Sequence, residues 1–142
     1  MCDLRTFSLE VRTTGGTDIL DLTPLVAENV VATGLAQGLV HLFIPGSTAA
    51  LSTIEYESGV VNDLRDAIER LFPLNIPYEH DRRWGDGNGY AHVRAAFLKP
   101  SLTIPLIDGR LELGTWQQIV LLDFDNRPRR RRILGQVMGP TS

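Results

Sequence analysis

From Ala91 to Met138 the chain reads as strand after strand. Parallel neighbours need a crossover of a dozen or more residues, usually a helix. The second half of the chain is therefore expected to pair antiparallel. Ala91–Leu98 alternates only loosely, whereas Leu102–Leu106 and Leu111–Leu113 flank Asp108-Gly109, a hairpin turn signal. Trp116–Phe124 and Arg130–Met138 read as the last two strands, separated by an Asp-Asn-Arg-Pro turn.

Helical spacing belongs to the first half. Leu4–Thr13 alternates, with Phe7, Leu9 and Val11 on one face, and Thr13-Thr14-Gly15-Gly16 is turn chemistry leading into a second strand over Thr17–Leu22. These two strands are expected to form a hairpin. Thr23-Pro24 reads as an N-cap followed by proline in the first turn of a helix carrying Leu25, Val26, Val30 and Val31, with Gly34 as the stop. Gly38–Ile44 is nearly all apolar, the pattern of a strand buried on both faces. A second helix is expected from Ser58 to Phe72, with Val61, Leu64, Ile68 and Leu71 as its buried stripe, Ser58 as its cap and Pro73 as its end. Leu74–Tyr90 is a long polar loop, and such loops in small domains are often functional. The order, ββα-β-α followed by strands, predicts an α+β fold in one domain spanning residues 1–142.

With 43% apolar and 22% charged residues, the chain has the composition of a globular domain that folds without disulfide or structural metal. Its one cysteine, Cys2, rules out an internal disulfide and a Cys-x-x-Cys zinc ribbon. The start, Met1-Cys2-Asp3-Leu4-Arg5, lacks the basic-then-apolar order of a secretory leader, and no apolar run approaches the ~20 residues of a membrane span. A cytoplasmic protein without a membrane partner is expected. The net charge of −3 argues against nucleic acid. Arg127 and Arg129–Arg132 cluster nonetheless, either as a phosphate patch or as a strand entrance whose arginines alternate between solvent and an interface.

Three segments can carry chemistry. His80 and His92 border the polar loop, with Gly85-Asp86-Gly87-Asn88-Gly89 between them, whereas His41 lies within the apolar strand and reads as a hydrogen-bonded histidine of the core or its edge. Two imidazoles and a carboxylate can hold a divalent metal, so His80, Asp86 and His92 are the candidate ligands. The loop has neither His-Glu-x-x-His spacing nor the ligand ladder of an EF-hand, and a tight turn flanked by surface histidines is the other reading. In the second segment, Gly46–Glu57, Ser47 and Thr48 can bond a phosphate, and Glu57, ahead of Glu55, can serve as metal ligand or general base. A plain polar connection into the helix is the alternative. The third group, Trp84, Tyr90 and Trp116, can stack on a heterocycle or pack in a core or interface, and Gln117 can reach the same cleft.

Four segments together resemble the YjbQ family: GSTAALSTIEYE (Gly46–Glu57), YEHDRRWGDGNGYAHVRA (Tyr78–Ala95), PSLTIPLIDGRLELGTWQQI (Pro100–Ile119) and DFDNRPRRRR (Asp123–Arg132). The resemblance spans nearly the whole chain from about Phe7. It implies a β-sandwich of mostly antiparallel strands with two helices, assembled as a homotrimer. It also implies that the family's shared polar positions fall on Glu57, His80, Asp86, Asn88, His92 and Gly114-Thr115-Trp116-Gln117. This chain departs from many members at Pro45-Gly46-Ser47-Thr48, where they carry a histidine-rich segment, and at Tyr56, where they carry asparagine. A role of that histidine therefore does not transfer.

The family is described as having a secondary thiamine-phosphate synthase activity, joining an aminopyrimidine pyrophosphate to a thiazole phosphate. Carried onto this chain, Glu57, His80, Asp86 and His92 are the expected catalytic groups, with a divalent ion (Mg or Zn) on His80, Asp86 and His92. Arg94 would meet the pyrophosphate, with Ser47, Thr48, Asn88, Trp116 and Gln117 around the phosphorylated metabolite. A metal-dependent hydrolase or lyase on another small phosphate ester, and a non-catalytic metabolite-binding trimer, use the same residues and stay open.

Overall fold

The computed structural model describes residues 1–141. It has eight strands and four helices: β1 (Cys2–Thr13), β2 (Asp18–Asp21), α1 (Thr23–Ala32), β3 (Gly38–Phe43), β4 (Ala49–Ile54), α2 (Ser58–Leu71), α3 (Glu79–Trp84), α4 (Gly89–Leu98), β5 (Ser101–Ile107), β6 (Arg110–Leu111), β7 (Gln118–Asp123) and β8 (Arg129–Pro140). Every paired strand is antiparallel, in two sheets ordered β1-β8-β3-β5-β6 and β2-β7-β4. The α+β class and the β5–β6 hairpin around Asp108-Gly109 stand as expected.

The apolar surface falls into two cores, which makes three layers. Val40, Leu42, Ile104, Leu106, Ile133 and Val137 of the large sheet meet Leu51, Ile119 and Leu121 of the small one, with Val26 and Val30 of α1. On the small sheet's other face, Ala50, Val120, Leu122 and Phe124 pack against Val61 and Ile68 of α2 and Tyr90, Ala91 and Ala95 of α4. β7 is thus the strand buried on both faces, and Ile119–Leu122 are each 0% exposed. β3 is not. Val40 and Leu42 turn inward, while Leu39, His41 and Phe43 stand on the sheet's open outer face. His41 there bonds Thr103 Oγ1 at 2.9 Å.

Several local expectations change. β1 and β2 form no hairpin: β1 pairs along its whole length with β8, and β2 joins β7 in the other sheet. The Thr13–Thr17 turn carries the chain between layers, tied by Gly16 N–H to the Asp125 carbonyl at 2.8 Å. Ala91–Leu98, expected as a strand, is helical: Tyr90, Ala91, Arg94 and Ala95 recur at i, i+1, i+4, i+5 and bury one face on β4. The polar connection Ala49–Ile54 is a strand, its alternation disguised by alanine, serine and threonine. In α1 the cap is Leu22 rather than Thr23, whose hydroxyl instead accepts from Ile119 N–H at 2.8 Å. Of the α2 stripe, Val61 and Ile68 are buried but Leu71 is exposed.

Candidate functional site

α3 and α4 place the two loop histidines together. Tyr78 starts α3, and Gly85 ends it in the left-handed conformation (φ 68°), a backbone state that glycine reaches without penalty. The chain then turns through Asp86 into α4. Gly89 opens α4 where a Cβ would lie 2.6 Å from Tyr78 Cβ, so only glycine lets the two helices close up. Asp81 Oδ1 accepts the Gly89 N–H at 2.8 Å and fixes the corner. His80 and His92, one on each helix, consequently face each other with ring centroids 4.4 Å apart.

His80 Nδ1 lies 3.3 Å from Asp86 Oδ1 and 3.5 Å from Asp81 Oδ1. The atom is buried, yet it completes no hydrogen bond. One donor atom from each of His80, Asp81 and Asp86 falls within 4.8 Å of the others. Ligand bonds of about 2.0–2.2 Å put neighbouring donors roughly 3–4 Å apart, and the His80 nitrogen stands at that spacing from both carboxylate oxygens, so the three could hold a divalent ion. Of the expected ligands, His80 and Asp86 are in this set. His92 stacks beside His80 instead of joining it, and Asp81 takes the third place. Its signal was local: it follows His80 directly on a six-residue helix that ends beside Asp86.

His92 also borders a cleft of about 220 Å³ with Gly46, Ser47, Ala49, Ala95, Ala96 and Pro100. Ser47 is exposed there. Thr48 is buried beside it, and its hydroxyl is committed to Asp125 Oδ2 at 2.9 Å and to Arg131 Nη2 at 2.7 Å. These contacts belong to a buried network that residue patterns did not announce. Arg131 holds Asp123 through Nε (2.7 Å) and Nη2 (2.9 Å), Thr13 donates to Asp123 at 2.7 Å, and Arg129 Nε meets Asp125 at 3.0 Å. Asp123 and Asp125 are each 0% exposed. Burial pushes the Asp125 carboxyl up, but the Thr48 hydroxyl and the Arg129 guanidinium outweigh it and hold the group below the usual carboxylate range. Arg130 faces outward and pairs with Glu10. The arginine run is therefore an alternating strand, with Arg129 and Arg131 as inward counter-ions.

Arg94, expected at a pyrophosphate, is 3% exposed. Nε and Nη2 donate to the Phe72 carbonyl at 3.0 and 2.8 Å, Nη1 to Thr17 Oγ1 at 3.0 Å and Nη2 to Glu69 at 2.6 Å, with Tyr90 beneath the guanidinium at 4.8 Å. It clamps the end of α2 to the β1–β2 turn, so its charge is engaged by the fold.

Glu57, Trp116 and Gln117 lie at the other end of the small sheet. At about 3.3 Å per residue, β4 sets its Ala49 and Ile54 ends about 17 Å apart. Glu57, not Ser58, caps α2. Its carboxylate accepts Gly59 N–H at 2.7 Å and Val60 N–H at 3.0 Å, and these bonds hold it below the usual carboxylate range. A carboxylate so stabilised is a weak base. Gln117 braces its turn, accepting from Gly114 N–H and donating to Thr53, both at 3.0 Å. Trp116 is 73% exposed and borders a shallow cleft of about 510 Å³ with Asp21, Glu55, Tyr56, Glu57, Thr115 and Gln118. Asn88 is buried, and its Oδ1 accepts Asn126 N–H at 3.1 Å.

Two antiparallel sheets, helices over one of them and a His–Asp donor set where two helices meet define a small α+β protein with a candidate metal centre. The chain belongs to the family described as UPF0047 protein YjbQ-like, which it matches over residues 7–140. It is 34% identical over 137 residues to a UPF0047 protein of Methanothermobacter thermautotrophicus, covering 96% of this chain and 94% of that one. It is 31% identical to UPF0047 protein YugU of Bacillus subtilis, covering 93% and 98%. Among solved structures it resembles a YbjQ-like protein of unknown function from Sulfolobus solfataricus, with a TM-score of 0.87, 26% identity and coverage of 97% and 100%. A YjbQ/UPF0047 protein of Clostridium acetobutylicum matches with a TM-score of 0.84 at 28% identity, covering 92% and 98%. No helix among the described residues is long and apolar enough to cross a membrane.

Proposed function

We propose that this protein acts on a small phosphorylated metabolite with a divalent ion held by His80, Asp81 and Asp86, and that thiamine-phosphate synthesis is the reaction to test first. The observation that carries the reading is the buried, unpartnered Nδ1 of His80 facing two carboxylates, one ring away from the cleft of Ser47 and His92. A divalent ion supplies positive charge that offsets a departing phosphate and acidifies water. In the synthase reaction the carbon–oxygen bond to pyrophosphate breaks, a carbon–nitrogen bond to the thiazole forms, and positive charge develops on the carbon. Ser47 would donate to a phosphate oxygen, and His92 would orient the ring of His80 while lining the cleft. At about 220 Å³ the cleft is smaller than the usual 300–1,000 Å³ of ligand sites, the size of a phosphate with part of its carrier.

The engagement of Arg94 by the fold favours a second reading, metal-dependent hydrolysis of another small phosphate ester, which requires no arginine on a pyrophosphate. Assembly as a trimer is also proposed. The open face of the large sheet carries Leu4, Met138 and Leu39 at paired register positions, 55%, 48% and 46% exposed, a row that a second copy would cover. Light scattering at three times the 15.8 kDa chain mass is the expected result. The decisive experiment is thiamine phosphate formation from its two precursors with Mg²⁺ or Zn²⁺, beside His80→Ala and His92→Ala. Turnover near 1 per second or above, lost in both variants, supports the synthase. A trace rate indifferent to both substitutions removes it, and metal-dependent phosphate release from an ester panel then decides for hydrolysis over a protein that only holds its metabolite.

A further inference from the structure

We infer that Asn126 is a positioning residue for the His80–Asp81–Asp86 donor set, an inference that rests on the metal reading above. Asp86 is the exposed member of the set, with its side chain 48% exposed. Its own loop gives it one internal tie, Asn88 N–H to Asp86 Oδ1 at 3.2 Å. What holds the segment comes from forty residues away. Asn126 Nδ2 donates to the Asp86 carbonyl at 2.7 Å, and Asn126 N–H donates to Asn88 Oδ1 at 3.1 Å. This two-point clasp closes across both ends of the Asp86–Asn88 turn.

The clasp is anchored in the buried Asp123–Asp125 network. Asn126 follows Asp125, which is fully buried and held by Thr48 and Arg129, and Asp125 N–H bonds Asp123 Oδ1 at 3.0 Å. Asn126 itself is exposed and sits in the β7–β8 turn, so its side chain contributes little to the core. Its amide suits the task by residue type: it is short, and it points a donor at a carbonyl. Aspartate would put a negative oxygen there instead. Groups behind the ligands commonly change metal affinity 10–100-fold, because they fix where a ligand oxygen sits before the ion arrives.

The test is calorimetric binding of Zn²⁺ and Co²⁺ to the full chain, with the visible spectrum of the Co²⁺ form and the unfolding midpoint of each metal-free protein. The expected result is binding by the wild type, loss of binding in His80→Ala, and at least about 10-fold weaker binding with an altered Co²⁺ spectrum in Asn126→Ala and Asn126→Asp. Their metal-free unfolding midpoints should match the wild type's. In an Asp86→Ala background, Asn126→Ala should then have no further effect, because the ligand it positions is gone. Unchanged affinity in both Asn126 variants, a loss equally large without Asp86, or a midpoint falling in step with affinity would each overturn the positioning role while leaving the metal site standing. Absence of binding by the wild type would remove the metal reading itself, and the inference with it.

Discussion

At the Ala49 end of β4, Asp123 and Asp125 lie wholly buried against Arg129, Arg131, Thr13 and Thr48, whereas at the Ile54 end Glu57 stands in water and holds two backbone N–H groups. Both ends collect carboxylates on the same small sheet. They differ in what surrounds the charge. A buried carboxylate persists only with counter-ions and donors in place, so each member of that network is required by the others. An exposed cap is solvated with or without its partners and contributes about as much as any helix cap. Charge counted along the sequence does not separate these cases, and burial does.

The largest consequence of this contrast is expected at Asp123. Asp123→Ala leaves Arg131 buried without its main counter-ion and should cost about 3–5 kcal/mol in urea unfolding, the usual range for breaking a buried pair. A loss below about 1 kcal/mol would mean that water reaches the network.

The next consequence concerns acid. Asp125 is held below its ordinary range in the fold, so its contribution is present above the unfolded carboxylate value of about 3.9 and is lost as pH falls through the lower folded value. The stability gap between wild type and Asp125→Asn should therefore narrow between pH 7 and pH 3. A gap that held constant would show that the carboxylate's charge is not what Thr48 and Arg129 stabilise.

Glu57→Ala should fray the start of α2 without unfolding the domain, seen as faster amide exchange confined to Gly59, Val60 and the first turn of the helix. The smallest effect is expected for Trp116→Ala. With 73% of the residue exposed, single-chain stability should stay within about 0.5 kcal/mol. A drop in assembled mass in that variant would place Trp116 at a contact between copies.

Much of the fold was legible where side chains are large and segments regular. The α2 stripe carries Val61 and Ile68 into the core, and the Asp108-Gly109 hairpin closes as its turn residues dictate. α4 was not legible as a helix, because its buried positions are mostly small or mixed, with Ala91, Ala95, Tyr90 and Arg94, and small residues barely mark a face. β4 was hidden for the same reason. In the candidate site, His80 and Asp86 could be picked out by type and by their place in a glycine-rich loop. The pairing of β1 with β8 rather than β2 was not legible, since register over long separations depends on which apolar faces find each other.

The sequence by itself determined the α+β class, the antiparallel second half, the family and a short set of histidines, carboxylates and arginines from which any site must be drawn. The tertiary structure alone decided what each of them does. Arg94 became a clamp because α2 ends beside it, Glu57 a cap because a helix starts there, and Asp81 a candidate ligand because α3 ends beside Asp86. The physical reason is that residue type sets which bonds a side chain can make, whereas burial and the neighbours delivered by distant strands set which of those bonds it does make.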